Sequence, residues 1–271
     1  MNTSPPRFTA IVLAADRERV NEVAKAAGVR CKSLVPVDGV PMVIRVLEAL
    51  RSSPYIEERI LCGPPGTVMA QAPELRDYAA AGRVRWFENQ ATPSASAYHA
   101  MQQIPEETPV LLTTSDHALL SPRVVDYFCL QALSSACDVV AALARHEEVT
   151  TAYPETRRTS YRFKDGGYCS CNLYAFLTPQ ARAAALFWRQ VEKQRKSPLR
   201  VIRVFGWNAV MRYVTGVVTL AEAMDGVSHR LGFKAGAVVL PFPEAAIDVD
   251  SVSDWYFVRR IAGEKDIDGS H

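Results

Sequence analysis

No stretch of this 271-residue chain approaches the roughly 20 consecutive apolar residues that a membrane helix needs, so no transmembrane segment is expected. The opening MNTSPPRFTAIVLAADR has too short an apolar run, and no small-residue cleavage pattern, for a signal peptide. Strong charge is missing too. A net charge of +2, with basic residues scattered except around Arg195 to Arg203, argues against a nucleic-acid binder driven by phosphate neutralisation and makes small molecules the expected partners. Six cysteines (Cys31, Cys62, Cys129, Cys137, Cys169, Cys171) show no framework spacing, and Cys169-Ser170-Cys171 is not the C-x-x-C of a zinc or redox site. Reduced thiols in a cytoplasmic protein are therefore expected. There is no internal repeat, no low-complexity segment and no linker. With 48% hydrophobic and 22% charged residues, the chain suits a single α/β domain with a sizeable core.

What is present is a rhythm of short apolar runs and one-sided helical patterns. Phe8 to Ala14 reads as a strand, Met42 to Arg51 as a helix with apolar residues at 42, 43, 46, 47 and 50, Arg59 to Cys62 as a strand, Pro73 to Ala81 as a helix and Val84 to Phe87 as a strand. That β-α-β-α-β order predicts a parallel sheet with right-handed crossovers. A helix from about Ser96 to Ile104, capped by Ser94 or Ser96, precedes the dense run Pro109 to Ser115, expected as a central strand buried on both faces. Pro122 to Ser135 reads as a helix and Asp138 to Ala144 as a strand. Thr150 to Gly167, with Arg157, Arg158, Arg162 and Lys164 alternating with Tyr161 and Phe163, reads as an exposed hairpin whose cations either meet solvent or wall a phosphate site. Three helical patterns follow, over Thr178 to Lys196, Ser197 to about Thr215 and Thr219 to Leu231. They predict a helical insert at about 178–232 before a last strand at Ala235 to Pro241. Its aromatic residues leave a homo-oligomer open.

Chemistry-bearing residues fall at strand ends. The long charged loop after the first strand leads to Lys32, and a loop leaving the C-terminal edge of an α/β sheet is where ligands bind. A lysine there can hold a phosphate oxygen as a point charge. Asp116 follows the central strand, where an isolated carboxylate must be paired, hydrogen-bonded or metal-bound. His117 beside it is read as a locally satisfied hydrogen-bonder. Near the C-terminus, Ser251 or Ser253 and Asp254 fit a helix cap, which leaves Asp248 and Asp250 without a structural role.

Leu13-Ala14-Ala15, Lys32-Ser33-Leu34-Val35-Pro36-Val37 and Gly39-Val40-Pro41-Met42-Val43 resemble the opening signature of the MobA-like nucleotidyltransferases. Leu112 to Leu119, Ser170 to Phe176 and Ala246 to Trp255 resemble that family's metal-aspartate strand, acceptor-side strand and closing motif. The resemblance implies a three-layer α/β/α, Rossmann-like (GT-A-like) fold with a mixed, mostly parallel sheet. It also implies Mg²⁺-dependent transfer of an NMP from an NTP to a phosphorylated small molecule with release of pyrophosphate. Carried over residue by residue, Lys32 and Asp116 are catalytic, and Leu13, Ala14, Ala15, Arg17, Lys25 and Ser94 bind the nucleotide. Asn172, Arg195 and Lys196 bind the acceptor, while Asp116, Asp250 and Asp248 hold Mg²⁺. Asp116 and Asp250, each read as ending a buried strand, are expected on the order of 4–6 Å apart, within reach of one ion.

The sequence departs from the family where it matters. Asp16 and Glu18 stand in place of loop glycines, and Cys31 replaces the proline before the lysine. A catalytically inactive nucleotide-binding or regulatory homologue is thus one alternative. An NDP-sugar-dependent glycosyltransferase is another, disfavoured because Ser115-Asp116-His117 lacks the D-x-D such enzymes carry at a central strand.

Overall fold

The computed structural model describes residues 6–16, 21–192 and 207–263. Strand β1 (Phe8–Leu13) is followed by helix α1 (Glu22–Ala26), a 3-10 turn (Lys32–Leu34), the short hairpin β2 (Pro36–Val37) and β3 (Val40–Pro41), α2 (Met42–Arg51) and β4 (Ile56–Cys62). Then come α3 (Gly66–Met69), α4 (Pro73–Ala80), β5 (Arg85–Phe87), α5 (Pro93–Met101), β6 (Val110–Thr114), α6 (Pro122–Ser134), β7 (Val139–Arg145) and α7 (His146–Ala152). The hairpin β8 (Ser160–Phe163) and β9 (Gly166–Phe176) precedes α8 (Ala181–Glu192), α9 (Trp207–Val214) and α10 (Leu220–Leu231). Strand β10 (Ala235–Leu240), a 3-10 turn (Pro243–Ala246) and α11 (Val252–Ile261) complete the described chain.

Eight strands form one sheet in the order β10-β7-β9-β6-β1-β4-β5, with β8 paired on β9. The sheet is mixed and mostly parallel: β1 runs parallel to β4 and β6, while β9 is inserted antiparallel between β6 and β7. Alternation along β1 explains the two helical layers. Ala10 and Val12 join a core with Val46 and Leu47 of α2 and Phe128 of α6, whereas Ile11 faces Ala97 and Met101 of α5 and Ala185 of α8. Helix α2 buries Met42, Val43, Val46, Leu47 and Leu50, each contributing roughly 1.5–3 kcal/mol relative to exposure.

Three local expectations are corrected. Helix α5 is capped by Thr92, whose hydroxyl accepts from Ala95 N at 3.2 Å; Ser94 and Ser96 lie inside the helix. Pro93 supplies the helix-compatible φ at the first turn and shifts the start upstream. Thr150 belongs to α7, so the hairpin is confined to β8 and β9. Asp250 does not end a strand, because residues 243–246 form a 3-10 turn and the extended segment after it crosses the sheet edge, with Val249 N donating to Asp116 O at 3.1 Å.

Candidate active site

Parallel β1 and β6 deliver their C-terminal ends to one edge, where the chain continues as Ala14-Ala15-Asp16 and Ser115-Asp116. Ladder-like bonds extend past the strands, from Ala14 N to Cys62 O and from Ser115 N to Leu13 O, each 2.9 Å. A cleft of about 540 Å³ opens there, lined among others by Leu13, Ala15, Lys32, Asp116, Asn172 and Asp250. That size suits a small-molecule ligand.

Lys32 stands at the centre. Its ammonium donates to Asp116 Oδ2 at 2.6 Å and to Asp250 Oδ1 at 2.9 Å, so the two carboxylate oxygens lie within twice that longer distance of each other. Burial alone would lower the Lys32 pKa, but the two carboxylates outweigh it and raise the pKa above the usual lysine value. Burial likewise works to raise Asp116, and the Lys32 charge outweighs it, leaving the carboxyl below its ordinary range. The other Asp116 oxygen, Oδ1, is buried without a regular hydrogen bond among the described residues, although the Thr114 hydroxyl is nearby. Asp16, standing where the family has glycine, accepts the Lys32 backbone N–H on both carboxylate oxygens at 3.1 Å. It anchors the lysine's main chain, and burial raises its pKa.

A second group walls the cleft on the β9 side. Two β7 steps, Ala141 to Leu143, face four of β9, Tyr174 back to Ser170, and Asn172 in this bulge takes a φ of 50°. Bulges re-aim side chains, and asparagine tolerates the left-handed region better than most residues. Asn172 Nδ2 donates to Asp248 Oδ2 at 2.6 Å, and Arg158 donates to Asp248 Oδ1 and to the Asp248 backbone carbonyl. Asp248, expected as a metal ligand, therefore has both carboxylate oxygens engaged by protein donors. Asp250 is placed by α11, where Asp254 Oδ2 accepts from Asp250 N at 3.2 Å and from Ser251 N at 2.8 Å.

The remaining expected site residues divide. Leu13, Ala14 and Ala15 line the cleft. Ser94 is buried within α5 behind Pro93, which does line it. Lys25 is exposed on α1 and does not line the cleft, because that short helix turns Val23 and Ala24 inward instead. Arg17, Arg195 and Lys196 lie outside the described residues. His117 is fully buried, and neither ring nitrogen makes a regular hydrogen bond among the described residues, the Ala245 backbone being a weak polar neighbour. Burial pushes its pKa down to about 4, against the partial pull of the Asp116 charge. Sequence reasoning missed Tyr174 and Trp188 as cleft-lining residues, and it placed Arg158 only among cations facing solvent or a phosphate, not as the partner of Asp248. Asp16 was visible only as an acid in a glycine position, and its hold on the Lys32 main chain was not.

The α/β sheet thus gathers a lysine and two carboxylates at its C-terminal edge, and the comparisons show the family and fold to which the chain belongs. Residues 10–215 match the MobA-like NTP transferase domain, and the chain belongs to that family. A structure described as a hypothetical transferase from Thermus thermophilus is 29% identical, with 92% of this chain and 99% of that one covered and a TM-score of 0.78. Two more distant structures show the same fold. They are CMP:2-keto-3-deoxy-manno-octonic acid synthetase complexed with CTP (12% identity, 94% and 98% covered, TM-score 0.54) and 4-diphosphocytidyl-2C-methyl-D-erythritol synthase from Anaerococcus prevotii (13%, 96% and 97%, TM-score 0.56). Comparison with curated protein sequences gives no match.

Proposed function

We propose that this protein is a Mg²⁺-dependent nucleotidyltransferase that moves an NMP from an NTP to a phosphorylated small molecule and releases pyrophosphate. The observation that carries the reading is the Lys32 ammonium held between Asp116 and Asp250 on the floor of the cleft. What supports a magnesium ion is that two carboxylates from different chain segments converge on one point, one with a buried oxygen lacking a regular partner, and that hard cation prefers oxygen ligands. Asp116 and Asp250 would hold it, and when bound it supplies positive charge for the reacting phosphates. Asp248 serves instead to brace Asn172 and Arg158.

In this reading the backbone at Leu13 to Ala15 seats the nucleotide, and Lys32 turns its ammonium to a phosphate oxygen. Asn172, fixed through Asp248, offers its amide to the acceptor. An acceptor phosphate oxygen attacks the α-phosphorus in line; the new O–P bond forms as the α–β bridging P–O bond breaks, and pyrophosphate leaves with that electron pair. Positioning and charge complementarity supply the acceleration, without a covalent intermediate. The six free thiols fit the reducing cytoplasm that this reading implies. Pyrophosphate release from a panel of NTPs, CTP included, with phosphorylated sugars and polyols and with or without Mg²⁺, tests it. Failure of every pair to release pyrophosphate would overturn the assignment and favour a nucleotide-binding homologue without turnover.

A further inference from the structure

Adjoining the main cleft at Asn172, Asp248 and Asp250 is a second pocket of about 230 Å³. It shares those three residues with the main cleft and is completed by Arg157, Arg158, Tyr161 and Ser170, among others. Its volume is below the roughly 300–1,000 Å³ of a complete small-molecule site, so it suits one end of a ligand whose other end lies in the main cleft.

Three carboxylates line this pocket, and each is already engaged. Asp248 holds Arg158 and Asn172, Asp250 holds Lys32, and Asp254 accepts the N–H groups that begin α11. Arg158 is engaged in turn. Arg157 is exposed and has no ion-pair partner among the described residues, so its guanidinium is the charge in this pocket left for a ligand. The Asn172 amide oxygen and the Tyr161 hydroxyl add hydrogen-bonding capacity beside it.

We infer that this pocket binds the far end of the acceptor, and that Arg157 recognises there a second anionic group, a carboxylate or a phosphate, distinct from the phosphate that reacts. The acceptor class is thus a short hydroxylated chain or sugar with an anion at each end. Guanidinium is suited to both anions because its planar fork pairs with either in two-point fashion. The inference rests on the proposed nucleotidyltransfer for its purpose but not for its test.

Calorimetric binding to the full chain, using glycerol 3-phosphate against 3-phosphoglycerate and fructose 6-phosphate against fructose 1,6-bisphosphate, reads the preference directly. In at least one pair the doubly anionic member should bind about tenfold tighter or more, the scale of one additional charge-assisted hydrogen bond. Arg157→Gln should erase that difference and leave the singly anionic member unchanged. A preference confined to the first pair identifies a carboxylate, and one confined to the second a phosphate. No preference in either pair, or one that survives Arg157→Gln, overturns the inference. Pyrophosphate release measured in parallel separates the two readings: turnover without the preference removes only this pocket, and the preference without turnover removes only the transferase.

Discussion

At the scale of single residues, Lys32 faces two demands on one ammonium. It neutralises Asp116 and Asp250 in the described structure, and the proposed reaction needs it on a phosphate oxygen. Lys32→Ala should therefore weaken NTP binding or turnover by roughly 2 kcal/mol or more, the scale of a charge-assisted hydrogen bond in a partly desolvated site. Unchanged affinity and rate in a folded variant would rule that role out. The same geometry sets lysine and metal in competition for two carboxylates. Lys32→Met should bind Mn²⁺ in the absence of nucleotide more tightly than the parent protein does, read by electron paramagnetic resonance of the free ion; equal affinities would show that the ammonium does not guard the pair. Asp116→Asn and Asp250→Asn should each abolish Mg²⁺-dependent turnover, and residual metal-dependent activity in either would remove that residue from the ion's ligands.

At the scale of elements, the cap of α11 starts the helix and also holds Asp250, which the proposed reaction places at the metal. The Ser251 and Asp254 side chains form a capping box, and the Asp254 oxygen that closes it also receives Asp250 N. Asp254→Ala should cost about 1 kcal/mol of stability in denaturant titration, the usual scale for removing a cap, yet lower turnover further than the folded fraction accounts for. A fall in turnover that tracks the folded fraction alone would mean Asp250 is held by other means. This cap was legible in the sequence because its signal is local: a serine with an aspartate three residues on. So were β1, β6 and α2, whose apolar runs or one-sided spacing state their burial directly, and the positions of Lys32 after a strand-end loop and of Asp116 just past a central strand. The Asn172 bulge was not, since it depends on how β9 registers against β7. Nor was the loss of a strand before Asp250, where a hydrogen bond from Val249 to Asp116 across the sheet edge decides the path. Lys25 was assigned from likeness alone, and which side of a five-residue helix faces the core depends on tertiary packing that likeness does not carry.

At the scale of the whole molecule, buried thiols set an alkaline limit. Burial pushes Cys62 up to about 12 and raises Cys129 and Cys171 as well, so between the unfolded thiol value and the folded one the unfolded chain binds fewer protons. Stability then falls as pH rises, by roughly 1.4 kcal/mol per pH unit for each thiol fully in that window. Urea midpoints should decline above about pH 9, and Cys62→Ala should show a shallower decline; parallel curves would assign the slope to other groups. Lys32 meets Asp116 across 84 residues and Asp250 across 218, while Trp255 Nε1 of α11 donates to Pro36 O. The cleft is thus a seam that the closing segment fastens onto the opening one. A chain leaving the ribosome can pair β1 with β4 and β6 long before Asp250 emerges, and contacts of such separation are slow to form. During refolding, catalytic competence should consequently lag behind the recovery of sheet structure, so the time at which turnover returns marks the fastening of the two ends.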